Sequence, residues 1–170
     1  RSTLFPYTTL FRSLAERSYF YLFFMSMLPI VELRLAVPVS QAMGLSVFKS
    51  FIVCMLGNMV PVPFVYFFAR SFLEWGQNRK GIGRICALFL NKGEQAGRRL
   101  TEKAGRTGTF LALMLFVGIP LPGTGAWTGT LAASILDMGA KITVAAVTLG
   151  IIIAGCIMMA ASVFGFSLIG

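Results

Sequence analysis

The stretch PIVELRLAVP, from Pro29 to Pro38, places two charged residues inside a long apolar run and between two prolines. Proline lacks a backbone donor and moves the residue before it out of the helical region, so a helix that enters this stretch must break there. The break contains Glu32 and Arg34, which lie two positions apart and would share one side of an extended segment.

In lipid, broken backbone is tolerated only where protein or a water-filled cavity covers it, and an ionisable side chain at that depth indicates a functional site. Glu32 and Arg34 are therefore the first candidate site residues, and Pro38 joins them because it closes the stretch. A second interpretation stays open, in which the two charges neutralise each other and only hold the break together.

The composition indicates an all-α integral membrane protein. The chain has 170 residues, of which 56% are hydrophobic and 12% charged, whereas soluble domains carry about 25% charged residues. It contains no histidine, and its three cysteines include no CxxC pair. These absences argue against histidine metal sites, Ser-His-Asp triads and zinc sites, so we expect no catalytic residues, no metal and no cofactor.

The positive charge is concentrated in one segment. Of the 15 lysines and arginines, nine lie between Arg70 and Arg106. A basic segment between apolar blocks is typical of a cytoplasmic face, so we expect residues 75–106 to be cytoplasmic. The net charge of +9 then gives no reason to expect a nucleic-acid partner; the expected surroundings are a lipid bilayer.

The first 13 residues, RSTLFPYTTLFRS, read as an in-frame translation of a sequencing-library adaptor. We therefore expect residues 1–13 to be foreign and residues 14–170 to form a single membrane domain. A helix over Tyr19–Leu28 would reach about 15 Å, only half of a hydrocarbon core of roughly 30 Å. Residues 18–44 are thus predicted to form a re-entrant hairpin, with Pro38 tolerated near the start of its second helix.

Residues 46–74 are long enough to cross a membrane, and internal prolines predict a kink in that helix. Asn58 lies inside it and is expected either to bond a neighbouring helix or to line a substrate path. Within the basic segment, apolar residues recur near helical spacing beside lysines and arginines, which predicts an amphipathic helix on an anionic leaflet. These apolar residues are Ile85, Leu88, Phe89, Ala96 and Leu100. Gly93 and Gly97 weaken that prediction.

Residues 108–137 carry one charge, Asp137 at their end, and their centre reads IPLPGTGAW. The prolines and glycines there predict a second re-entrant hairpin with half-helices over 110–119 and about 125–136. Thr124 is placed to cap the second half-helix, whose N-terminus would suit an anionic group. Trp127 would line a cavity or pack on a neighbour. The candidate site residues of this half are Pro120, Pro122, Gly123, Thr124, Gly125 and Trp127.

Residues 141–168 predict a final transmembrane helix. Ala146, Gly150 and Ala154 in it form a small-residue series, which indicates a close helix contact within or between subunits. Pro29 and Gly57 are 28 positions apart, as are Pro122 and Gly150. Each half thus reads as a broken re-entrant hairpin followed by a transmembrane helix, and we expect an inverted repeat whose broken tips meet at the membrane midplane.

Three strings in the chain, PIVELRLAVP, GNMVPVPF and IPLPGTGAWTG, resemble the small multidrug export proteins, a family of small prokaryotic membrane proteins. The resemblance covers roughly residues 28–170 and implies a location in the prokaryotic inner membrane. It also implies a functional centre formed by Glu32, Arg34, Pro120, Pro122, Gly123, Thr124, Gly125 and Trp127. The family is distantly similar to the DedA group, whose members are implicated in moving lipid phosphates. This chain has PGTG where DedA proteins have an arginine-containing motif.

Three function classes remain open. The first is a transporter or exporter of a small molecule, coupled to protons through Glu32. The second is a DedA-like flippase that binds an anionic lipid phosphate through Arg34 and the half-helix N-termini. The third is a membrane scaffold that transports nothing. A homodimer is compatible with so few helices.

Overall fold

The computed structural model describes residues 5–29, 31–79, 81–121 and 124–169. Within these residues the chain is helical, without a strand. The helices are α1 (Phe5–Met27), α2 (Glu32–Ala42), α3 (Val47–Met59), α4 (Pro61–Gln77), α5 (Gly83–Gly118), α6 (Ala126–Ile135) and α7 (Ala140–Ile169). The chain divides into two compact units, one formed by residues 1–58 with 155–170 and the other by residues 59–154.

Two helical stretches of the described residues, Val47–Gln77 and Ala140–Gly165, are long and apolar enough to cross a membrane. The first contains α3 and α4, which meet at Val60. Pro61 and Pro63 lie in the first turn of α4, where amide groups have no intrahelical partner, so their missing N–H groups are tolerated.

In the unit of residues 1–58 and 155–170, α1 ends at Met27 and α2 begins at Glu32. The third helix packs closely on the first at Gly57. A Cβ there would overlap the Ser26 hydroxyl and the Phe23 carbonyl oxygen. Gly155 makes a similar approach to Phe51 of α3, and a Cβ there would come 3.3 Å from Leu33 Cδ2. Small residues thus let these helices pack at short range.

The first break differs from the predicted one. The second helix resumes at Glu32, directly after Val31, so Pro38 lies inside α2 and not in its first turn. The expectation that Pro38 lies near the start of the second helix is therefore wrong, because six residues of α2 precede it. The first helix starts at Phe5, inside the stretch predicted to be foreign, and the origin of that stretch stays a prediction.

In the unit of residues 59–154, α6 packs on α4 and α5. The Ser134 hydroxyl of α6 donates to the Tyr66 carbonyl of α4 at 2.7 Å. A buried side chain of α5, Val117, lies against glycines of two other helices. A Cβ at Gly129 would come 2.5 Å from Val117 Cγ2, and one at Gly150 would come 2.7 Å from Val117 Cβ.

The small-residue series of α7 is buried and is used within the chain. Gly150 lies against Val117 and the Met114 carbonyl of α5, and Ala146 is fully buried. Of the two contacts that the sequence left open at Gly150, the structure therefore contains the one within the chain.

The basic part of α5 packs through its smallest residues. Its buried positions follow helical spacing and are Gly83, Cys86, Leu90, Gly93 and Gly97. A Cβ at Gly93 would come 2.6 Å from the Ile135 carbonyl oxygen, and one at Gly97 would overlap the Leu136 carbonyl. The two glycines that weakened the helix prediction are thus the positions that hold this helix against the end of α6. The apolar residues Ile85, Leu88 and Phe89 are exposed.

Candidate functional site

Glu32 is a buried carboxylate at a strained backbone position. Its side chain is 6% exposed, and its φ of 45° lies in the left-handed region. Its N–H donates to the Leu28 carbonyl at 2.9 Å, across the break between α1 and α2. A non-glycine residue in this region costs of the order of 1–2 kcal/mol, and such strain concentrates at functional sites. Glu32 therefore combines burial with backbone strain, and its place in a functional site stays a prediction.

Arg34 lies one half-turn further along α2 and is half-buried. Its guanidinium interacts electrostatically with the Glu32 carboxylate. The expectation of an extended segment around both charges is wrong, because α2 begins at Glu32 and contains Arg34. The helix can resume early because no proline lies between Val31 and Pro38, the seventh residue of α2.

Asn58 lies near the end of α3 and is 4% exposed. Among the described residues, its Oδ1 has no hydrogen-bond partner. A buried acceptor without a partner costs about 1–3 kcal/mol, so its retention needs an explanation. The described part of the chain thus contains no bond to a neighbouring helix at this atom, and both expectations for Asn58 stay predictions.

The second break lies between the end of α5 at Gly118 and the start of α6 at Ala126. Pro122 and Gly123, two of the predicted site residues, lie outside the described residues. Pro120 and Trp127 are half-buried, and Gly125 is buried at the N-cap position of α6.

The Thr124 hydroxyl bonds the chain behind it. Its hydroxyl oxygen lies 2.9 Å from the Ile119 carbonyl and 2.9 Å from the Leu121 carbonyl, so it bonds backward to the chain that leaves α5. Whether Thr124 also caps α6 stays a prediction.

The candidate residues fall in separate units. Glu32, Arg34, Pro38 and Asn58 belong to the unit of residues 1–58 and 155–170. Those around the second break belong to the unit of residues 59–154. The expectation that both breaks contribute to one site stays a prediction.

A charged cluster that the sequence did not predict surrounds Arg70 of α4. Its Nε lies 2.8 Å from Glu74 Oε1, its Nη2 lies 3.6 Å from Glu94 Oε1 of α5, and its Nη1 bonds Asp137 after α6. One guanidinium thus joins three segments of this unit. The side chains are partly exposed, so each pair contributes less than about 1 kcal/mol.

A cavity of about 430 Å³ adjoins this cluster and is lined by Glu94, Gly97, Arg98, Thr101, Glu102, Leu136 and Asp137. Within the described residues, no group of three or more acidic, histidine or cysteine side chains is arranged to hold a metal. The only sequence signal for the cluster was that Asp137 is the sole aspartate of a basic chain.

Comparison with known proteins identifies the family to which the chain belongs. No curated protein matches the chain, and no solved structure does. The family model described as "Putative small multi-drug export protein" matches residues 32–157, which begin at Glu32 and include the second helix break and the Arg70 cluster. Since this match covers most of the chain, the protein belongs to the small multi-drug export family.

Proposed function

We propose that this protein is a secondary exporter of a small molecule, in which the Glu32 carboxylate binds the coupling proton or a cationic substrate. The observation that carries the proposal is that Glu32 combines burial with a left-handed backbone at a helix break. A carboxylate kept in such a position costs stability, and a binding role explains why it is kept. Membership of an export family supports transport over a purely structural role.

The contacts of Gly57 and Gly150 support the proposal that the two halves repeat one motif. Gly57 lies against the helix that precedes the first break, and Gly150 lies against the helix that precedes the second. The two glycines occupy matching positions, 28 residues after Pro29 and Pro122. Each glycine thus lies against one side chain of the preceding helix and the carbonyl three residues earlier, although these contacts are shifted by two positions relative to the prolines. We propose that the repeat is inverted, with the basic segment on the cytoplasmic side of the inner membrane.

The test uses protein reconstituted in liposomes, with an imposed proton gradient and a fluorescent lipophilic cation as the transported probe. Glu32→Gln removes the charge at nearly constant volume, and we expect it to abolish proton-driven movement of the probe. Glu102→Gln is the matched control, because it makes the same change on an exposed side chain, and it should transport as the parent does. Transport that persists in Glu32→Gln would contradict the proposal.

Ligand-dependent thermal unfolding separates this function from lipid-phosphate movement. A ligand at a hundred times its dissociation constant stabilises the folded state by about 2.7 kcal/mol. We expect lipophilic cations to stabilise the parent and to have no effect on Glu32→Gln. Stabilisation by lipid phosphates that is lost in Arg34→Gln would favour the flippase instead, because Arg34 is the half-buried cation beside Glu32.

A further inference from the structure

Exposed aromatic rings form a stripe along one side of α4. Phe64, Phe68, Phe72 and Trp75 follow each other at helical spacing, and each is at least 47% exposed. The Phe68 and Phe72 rings stack with centroids 6.1 Å apart, and those of Phe72 and Trp75 lie 6.2 Å apart. The stripe extends over about 16 Å, which is about one leaflet of a hydrocarbon core.

The stripe ends in a positive charge. The guanidinium of Arg79, just after α4, lies over the Trp75 ring at 4.6 Å. Tryptophan is enriched where hydrocarbon meets head groups, and a basic residue next to it is typical of that boundary. The polar end of the stripe thus has the composition of a membrane interface.

A cavity opens at this end of the stripe. It has a volume of about 670 Å³ and lies at the turn between α4 and α5, lined by Gln77, Arg79, Gly81, Gly83, Arg84 and Ala87. Two guanidiniums therefore line one cavity. Within the described part of the chain, neither lies within 4.0 Å of a carboxylate oxygen. Their charge is available to an anion, and guanidinium groups match phosphate oxygens in a bidentate geometry.

We propose that this turn binds the head group of one anionic phospholipid, with the phosphate between Arg79 and Arg84 and an acyl chain along the aromatic stripe. The exposed Ile82 and Ile85, at the start of α5, extend the apolar surface beside the head group. The site is separate from Glu32 and does not depend on the transport function. Its occupant is a lipid, because the charged cavity and an apolar surface of leaflet length are continuous.

Fluorescence quenching by brominated lipids tests the site directly. The chain has two tryptophans, so Trp127→Phe leaves Trp75 as the reporter. We expect brominated phosphatidylglycerol to quench Trp75 more effectively than brominated phosphatidylcholine. Arg79→Gln and Arg84→Gln should each reduce this preference roughly fivefold, given the usual strength of a basic residue at an anionic surface.

Arg99→Gln is the matched control, because it removes the same charge from an exposed position of α5 that does not line the cavity. It should leave the preference within about twofold of the parent. Arg99 lies 15 positions after Arg84 in α5, so most of the field of its charge is screened at the cavity. An equal loss in Arg99→Gln would overturn the site in favour of general surface charge. Equal quenching by the two lipids in the parent would also overturn it.

Two further readings complete the test. Unchanged quenching by brominated phosphatidylcholine shows that each variant is folded and inserted, so a lost preference then reports the head group alone. Inorganic phosphate added at millimolar concentration should leave the quenching by phosphatidylglycerol unchanged. If it relieves that quenching, the cavity takes a soluble anion and the assignment to a lipid is overturned.

Discussion

The carboxylate of Asp137 binds the guanidinium of Arg70, 67 positions away in the sequence, from a backbone in the left-handed conformation. Asp137 follows the last turn of α6 with a φ of 55°. The Met138 N–H donates to the Ala133 carbonyl at 3.1 Å, which closes the helix in a Schellman motif. One residue thus ends a helix and ties it to α4.

This dual role predicts an order among three substitutions at Asp137. Asp137→Gly loses the ion pair but suits the left-handed backbone, whereas Asp137→Ala loses the ion pair and is strained there. We expect the alanine variant to be less stable than the glycine variant by about 1–2 kcal/mol. Asp137→Asn should lie between them, because asparagine tolerates this conformation. Unfolding in mixed micelles measures the order of the three stabilities. Equal stabilities of the alanine and glycine variants would contradict backbone strain at position 137.

The contact between Gly150 and α5 predicts strong sensitivity to one methyl group. A Cβ at this position would come 2.7 Å from Val117 Cβ and 2.8 Å from the Met114 carbonyl oxygen. We expect Gly150→Ala to lower the free energy of unfolding by about 1–3 kcal/mol, which is the usual cost of overpacking. Gly165→Ala, on the same helix with nothing within 4 Å, is the control and should not destabilise.

Val117→Ala should recover a small part of the loss in Gly150→Ala, because it removes Val117 Cγ1, 2.9 Å from the added Cβ, but keeps Val117 Cβ at 2.7 Å. The Met114 carbonyl belongs to the backbone and cannot be removed, so recovery should be incomplete. A double-mutant cycle measures this coupling. Strict additivity of the two substitutions would show that Gly150 and Val117 do not touch.

The glycine face of α5 predicts that a larger side chain at Gly97 will detach this helix from the end of α6. Cys86 reports the detachment, because it is 5% exposed and packs against Gly76 on the same face. In a Cys156→Ser background, Gly97→Leu should raise the rate of Cys86 alkylation roughly tenfold, since overpacking costs about 1–3 kcal/mol. Ala96→Leu, on the exposed side of the same turn, should leave the rate unchanged. Similar rates in the two variants would refute the packing.

The bonds from the Thr124 hydroxyl to the preceding carbonyls predict that Thr124→Val and Thr124→Ser differ in their effect on the free energy of unfolding. Thr124→Val removes the hydroxyl that lies 2.9 Å from the Ile119 and Leu121 carbonyls. We expect a loss of about 0.5–1.5 kcal/mol, the usual net contribution of one hydrogen bond. Thr124→Ser keeps the hydroxyl and should retain most of the stability. If serine is as harmful as valine, then packing of the methyl group is the important contribution and not the hydrogen bond.

Features set by local sterics were predictable from the sequence. The all-helical class and the two candidate membrane spans follow from long uncharged runs, and the structure confirms them. The second break lies at the predicted residues because the prolines and glycines of IPLPGTGAW exclude a continuous helix. The burial of Glu32 was expected because this residue lies inside a long apolar run.

Features that depend on which of several possible partners a residue contacts were not predictable from the sequence. The hydroxyl of Thr124 had backbone carbonyls behind it and backbone amides ahead of it within reach, and the sequence alone did not predict its bonds to the Ile119 and Leu121 carbonyls. Gly93 and Gly97 disfavour a helix by intrinsic propensity, yet close packing against the end of α6 outweighs that cost. The Arg70 cluster joins residues far apart in the chain, which only the folded unit brings together.

The shared contact of Val117 also restricts how this chain can be recombined with its relatives. Its side chain lies against Gly129 of α6 and Gly150 of α7, so the volumes at positions 117, 129 and 150 fill one common space. A chimera that takes α5 from one family member and the following helices from another inherits a mismatch whenever these sizes differ. These three positions have to be exchanged as a set.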